Sequence, residues 1–323
     1  MLRPARIGSR GLVAIVAGLA VAVCLGHSDA ASARTLRIVA SSTDIASIAK
    51  EIGRDRIHEA YSFFAGNQEP ELWVEEVFPS WVVRSIRADA FGRIGLFADV
   101  WADTVIESAQ NRATMPGGPG YIDASDGIEV LEVPVGRVDR SMGEIHVQGN
   151  PHYFMDPLNA KIVATTIRDS LITLSPDDAD FFRANAGDFS ARVDAAMTRW
   201  QALASKSLRG KKLAAYHKTW SYLARRFGIV VVGYCEPKPG IEPSPADIRR
   251  LVEVMTHEGV RLIIHEPVYS ARIPNAVARE VQRQTGQPVT VLKLPAHIGG
   301  VPEAKDYFSF IDYLLAQLAA NLR

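Results

Sequence analysis

Residues 175–208 read SPDDADFFRANAGDFSARVDAAMTRWQALASKSL, and the architecture turns on this stretch. Ser175-Pro176 is a helix start, because proline at the first helical position forfeits no hydrogen bond. The thirty or so residues beyond it have almost no strand character. Phe181, Phe182, Phe189, Val193, Ala196, Trp200 and Leu203 recur at helical spacing. A continuous helix of this length spans about 45–50 Å at 1.5 Å per residue, longer than one small domain. The spacing predicts a stiff strut joining two lobes, with Gly187 as the place where it could bend.

On both sides of the strut, strand and helix alternate. Before it, strands are expected at Thr35–Ala40, Ile57–Phe64 and Ala90–Leu96, and helices after Ser42-Thr43, from Pro79-Ser80 towards Arg87, and over Asp99–Ser108. After it, strands are expected at 212–216, 229–235, 260–265 and 288–293, with helices at 219–227, 245–258, 273–285 and 306–321. Such alternation argues for parallel βα units. Residues 112–150 show weak periodicity until Asp156-Pro157, where an aspartate cap precedes proline. The fold class is therefore α/β: two Rossmann-like lobes joined by a long rigid interdomain helix. The expected divisions are 34–174, 175–208 and 209–323.

Residues 1–33 are set apart. Arg3, Arg6 and Arg10 precede an unbroken small and apolar run from Gly11 to Leu25, and Ala31-Ser32-Ala33 supplies a cleavage pattern. This reads as a cleaved signal peptide, too short to span a bilayer, with cleavage near Ala33 and a periplasmic product. Val23 before Cys24 is bulkier than a lipoprotein signal would place there. The leader takes three of 36 basic and one of 36 acidic residues with it, leaving 33 and 35, a net charge near −2. That balance offers nothing to nucleic acid or an anionic membrane. Cys235 alone remains, which excludes an internal disulfide and an all-cysteine metal site.

In open α/β sheets, ligands bind where strands end and helices begin. Four metal- or acid-type residues fall at such junctions. Glu71 follows the strand at 57–64, and His152 precedes the Asp156-capped helix. His217 follows the strand at 212–216, and Glu266 ends the strand at 260–265. Two come from each half, as a cleft between lobes requires. Neutral imidazole and carboxylate suit Zn²⁺, Mn²⁺ or Fe²⁺, and four protein ligands would close the site to water. Taken singly, each has a plainer reading as a capped, hydrogen-bonded or solvated side chain. His58, His146 and His257 read as structural or exposed. The chain lacks G-x-S-x-G, the G-x-x-x-x-G-K-[ST] loop, G-x-G-x-x-G and H-E-x-x-H, which argues against the corresponding enzymes.

The same residues carry a family resemblance. Asn150-Pro151-His152-Tyr153-Phe154-Met155-Asp156-Pro157 resembles the NPHYWLDP segment of the zinc/manganese solute-binding proteins of ABC transporters, the cluster A-I family. Tyr216–Tyr222 (YHKTWSY) is similar to its second histidine motif, Glu236–Pro245 (EPKPGIEPSP) to its EPKPGIPPSP stretch, and Gly299–Tyr307 to its C-terminal segment. The resemblance implies a monomeric receptor rather than an enzyme. One divalent ion, zinc first with manganese or iron as alternatives, would be held between the lobes by His152 and His217 and delivered to an ABC permease of the inner membrane. Two departures bear on the site. Where the family has Asp-Pro-His, this chain has Glu69-Pro70-Glu71, so either Glu71 replaces an imidazole or that ligand is lost. Where many members supply an aspartate after the last strand, this chain has Pro295-Ala296-His297, making His297 a rival to Glu266 as fourth ligand. A metal-dependent hydrolase on the same fold and a receptor that has lost its metal remain the alternatives.

Overall fold

The computed structural model describes residues 35–72, 77–136, 146–238 and 240–322; the expected leader lies outside them. In chain order the first half runs β1 (Leu36–Ala40), α1 (Thr43–Gly53), β2 (Ile57–Ser62), α2 (Pro79–Ile86), β3 (Ala90–Arg93), α3 (Trp101–Ala109), β4 (Tyr121–Asp123) and α4 (Pro157–Leu174). Then comes α5 (Ala179–Ser207), followed by β5 (Lys212–Ala215), α6 (Ser221–Phe227), β6 (Val230–Tyr234), α7 (Pro245–Glu258), β7 (Leu262–His265), α8 (Arg272–Thr285), β8 (Thr290–Lys293) and α9 (Tyr307–Asn321).

Among the described residues the strands form two four-stranded sheets of identical topology, β2-β1-β3-β4 and β6-β5-β7-β8, with every pairing there parallel. Each sheet reverses its strand order beside the central first strand. Loops leaving the carboxyl ends on either side of that point diverge, one to each face, and leave a crevice. His217 follows β5 and Glu266 follows β7, so both lie at the reversal of the second sheet.

The helix boundaries follow local chemistry. Ser42 caps α1, Asp156 caps α4 with Pro157 behind it, and Ser244 with Asp247 forms a reciprocal capping box on α7. Gly259 ends α7 with φ 68°, a left-handed position that glycine takes without a Cβ clash. The strut begins with a 3₁₀ turn at Pro176–Asp178 and continues unbroken through Gly187 as the 29-residue α5. Its buried stripe is Phe182, Asn185, Ala186, Phe189, Val193, Ala196, Trp200 and Ala204. This stripe packs on α1 and α4 from the first half and on α6 and α9 from the second. One apolar core consequently runs from Ile38 and Val163 through Phe189 to Leu213 and Leu314. The buried Asp156 carboxylate, paired with Arg226 at 2.7 Å through two nitrogens, adds a polar tie across the same seam. The strand β4 is not apparent in the weakly periodic stretch 112–150: three residues at a sheet edge carry too little pattern to register.

Candidate metal centre

The lone histidine between two prolines is held rigidly. Asn150 Oδ1 accepts from the His152 backbone N–H at 2.9 Å and lies 3.0 Å from its Nδ1, so the ring turns Nε2 inward. Asn150 in turn donates to the Lys218 carbonyl at 2.9 Å, anchoring the segment to the other lobe. The 3₁₀ turn Tyr153–Met155 beyond it is pinned twice: Tyr153 donates to the Ile94 carbonyl and Tyr307 to that of Phe154, each at 2.9 Å. Glu71 sits on the turn Pro70–Leu72, whose Pro70 carbonyl accepts from Trp101 Nε1 at 3.1 Å. Beneath lies an aromatic cluster of Phe63, Phe64, Trp81 and Trp101. His217 follows β5 and is oriented by Glu236, with Nδ1 to Oε2 2.8 Å.

These three side chains converge. One donor atom each from Glu71, His152 and His217 fall within 4.8 Å of one another. Glu71 Oε1 lies 3.6 Å from His152 Nε2 and 3.4 Å from His217 Nε2, and the two imidazole centres are 5.8 Å apart. His152 and His217 are 3% and 2% exposed, leaving almost no water to compete for a cation. A void of about 10 Å³, bordered by Glu69, Glu71, His152 and His297, lies beside them, close to the space of one water or one ion. Burial pushes the His152 pKa down to about 3, so the ring is neutral and its lone pair free. For His217, burial pulls the same way, but the hydrogen bond with Glu236 and the nearby Glu71 carboxylate outweigh it and hold the pKa well above the ordinary histidine value.

The two candidates for a fourth ligand lie differently. Glu266 is fully buried, and neither carboxylate oxygen has a hydrogen-bond partner. Burial raises its pKa to about 7. It stands outside the 4.8 Å grouping and acts on His217 through its charge. His297 has both ring nitrogens engaged, Nδ1 with Asp44 Oδ2 at 2.5 Å and Nε2 with Glu69 Oε2 at 3.0 Å. Both ring nitrogens face carboxylates, so neither is bare towards a metal in this arrangement. It bridges Asp44 on α1 to the loop beyond β8 instead.

Four participants are not evident from sequence. His146, which reads as structural or exposed, has an 18% exposed side chain with Nε2 3.0 Å from Glu71 Oε2. Nothing in its weakly periodic surroundings marks it out. Glu236 lies just past the end of β6, and the junction rule that selects His217 applies to it equally. Glu69 stands out only as part of the altered first-loop motif. Asp44 looks like an ordinary first-turn acid until His297 and the Ile298 backbone N–H are seen beside it.

Comparison with known proteins agrees with this frame. The manganese ABC transporter substrate-binding lipoprotein PsaA of Streptococcus anginosus is 23% identical over 314 residues, covering 96% of this chain and 97% of its own. The high-affinity zinc uptake system protein ZnuA of Bacillus subtilis (strain 168) is 23% identical over 274 residues, 83% of each chain. Among solved structures, a crystal structure of ZnuA superposes with a TM-score of 0.73 at 21% identity, covering 90% of this chain and all of the other. The Cd-bound periplasmic metal binding protein from Candidatus Liberibacter asiaticus gives a TM-score of 0.70 at 21% identity over the same 90% and 100%. These structures share the fold of two parallel-sheet lobes. The sequence model of the zinc-uptake complex component A periplasmic family, ZnuA, matches residues 38–321, and the chain belongs to that family.

Proposed function

We propose that this protein is an exported receptor that captures one divalent transition-metal ion between its lobes and hands it to an ABC permease. Residues 1–33 would serve as the leader and the periplasm as the site of action. The observation that carries the reading is the convergence of Glu71, His152 and His217, from three loops and both lobes, with donor atoms inside 4.8 Å. Two imidazole nitrogens and a carboxylate oxygen suit Zn²⁺, Mn²⁺ and Fe²⁺, and Zn²⁺ is the first choice because it binds mixed N/O sites more tightly than the other two. The relatives named for zinc uptake and manganese transport support the same class of cargo.

Each of the two histidines has a partner behind it. The hydrogen bond to Asn150 leaves His152 Nε2 as the bare nitrogen, and Glu236 raises the basicity of His217 while fixing its ring. Ligands from opposite lobes make capture sensitive to their relative placement. A displacement of a fraction of an ångström on docking to the permease would loosen the ion without unfolding either sheet. Calorimetry of chelator-treated protein with Zn²⁺ and Mn²⁺ tests the proposal. Sub-micromolar, one-to-one binding that disappears in the His152→Ala/His217→Ala double variant is expected. No binding by the wild type would identify a receptor relative that has lost its metal.

A further inference from the structure

We infer that His146 is a further ligand of this ion, so that the completed sphere is three imidazoles and one carboxylate. The inference rests on the receptor reading and goes beyond it in ligand number and metal preference. Glu71 touches all three rings. Its Oε1 faces His152 and His217, and its Oε2 lies 3.0 Å from His146 Nε2. The ring centres form a near-equilateral triangle with sides of 5.8, 6.3 and 6.5 Å.

The loose atoms are the informative ones. His146 Nε2, His217 Nε2 and Glu71 Oε2 are all buried, and none makes a hydrogen bond of acceptable geometry. Buried polar atoms are normally satisfied. Three unsatisfied ones, two imidazole nitrogens and an oxygen of the carboxylate between them, describe a place where a shared partner belongs, and the partner common to them, once the proton on His217 is displaced, is a cation. Imidazoles bound through Nε2 at about 2.0–2.1 Å to one tetrahedral ion have ring centres roughly 5 Å apart. His146 Nε2 lies outside the tightest grouping of donor atoms, and closing the triangle asks each ring to approach by on the order of 1 Å.

His146 also occupies a position that decides the coordination number. Together with His217 it lines a cavity of about 400 Å³ that also reaches Glu132, Val135 and Lys218. With Glu71, His152 and His217 alone, the fourth position would face that cavity and take water, as in an open site. With His146 in place the sphere is closed. Three nitrogens and one oxygen also suit Zn²⁺ better than the harder Mn²⁺.

Zinc-edge X-ray absorption on the full-length chain, loaded with one equivalent of Zn²⁺, counts the imidazoles directly. Three are expected for the wild type and two for His146→Ala. In chelator competition, His146→Ala should bind Zn²⁺ at least about 100-fold more weakly, beyond the ~10–100-fold usual for loss of an outer partner. Its Mn²⁺ affinity should fall less. Two imidazoles in the wild type, with an affinity unchanged in His146→Ala, would overturn the role of His146 and leave the receptor reading intact. A wild-type chain that takes up no zinc would sink both. The wild-type count stands whatever the folding of the variant.

Discussion

Nδ1 of His217 lies 2.8 Å from Oε2 of Glu236, and both residues are buried. The two sit at the ends of neighbouring strands, β5 and β6, so the sheet itself sets their separation. A carboxylate on the far nitrogen fixes the tautomer and makes the near nitrogen a better donor. Replacing Glu236 by Ala should weaken zinc binding by about 10–100-fold while leaving one site per chain. A competition titration with a chromophoric chelator reads both quantities, and an unchanged affinity would remove Glu236 from the site.

The same pair sets the pH dependence. Burial alone would lower the His217 pKa, but the hydrogen bond with Glu236 and the nearby Glu71 carboxylate carry it well above the ordinary value of 6.5. The metal-free protein therefore holds a proton on His217 at neutral pH. An ion must expel that proton to bind. Affinity should consequently rise with pH, by about tenfold per unit for a single displaced proton, and level off above the folded pKa of His217. His152, pushed down to about 3, adds no slope above pH 4. For the metal-free chain the sign reverses. The raised pKa of His217 contributes stability that is complete below about 6.5 and is lost as pH climbs through the folded value. Calorimetry in buffers of different ionisation enthalpy would count the released proton; a pH-independent affinity between 5.5 and 7.5 contradicts this account.

His297 gives a contrasting outcome. Its imidazole lies between the Asp44 and Glu69 carboxylates, all three buried. Removing the ring leaves two carboxylates without their shared partner in a dry setting, which costs about 3–5 kcal/mol. His297→Ala should therefore lower the urea midpoint of the metal-free protein sharply and still bind one zinc. Loss of zinc stoichiometry with an unchanged midpoint would make His297 a ligand after all.

The fold was legible because its signals are periodic. The stripe of α5 recurs at helical spacing, and prolines and glycines mark the starts and ends of α4 and α7. His217 was legible because strand ends are few and a histidine at one is conspicuous, and His152 because it stands between two prolines just ahead of the Asp156 cap. The remainder depended on distance across the fold. His297 and Asp44 are 253 residues apart in sequence, and no local pattern states which buried acid an imidazole will meet. His146 lies in a stretch of weak period, so no sequence pattern announces its approach to Glu71. The edge strand β4 was lost for a simpler reason, since its three residues span less than two periods of alternation.

The cleft also depends on two glycines that touch across it. Gly66, in the loop that carries Glu69 and Glu71, packs against the loop beyond β8. A Cβ there would stand 2.2 Å from the Ile298 carbonyl oxygen and 2.4 Å from the Gly300 nitrogen. From the other side, a Cβ on Gly300 would meet the Gly66 oxygen at 2.4 Å. These are backbone atoms and cannot swing aside as a side-chain tip can, so Gly66→Ala must part the two loops by on the order of 1 Å. That displacement acts directly on Glu71 and on the Glu69–His297 contact. Zinc affinity should fall at least about tenfold, since ligands held by different loops lose their common centre. Gly187→Ala provides the control. Nothing lies within 4 Å of its added Cβ in the middle of α5, so it should stabilise the chain by about 0.5–1 kcal/mol and leave zinc binding unchanged. Equal affinities for Gly66→Ala and wild type would mean that the loops yield independently of the metal centre, and that their contact serves the seam between lobes rather than the site.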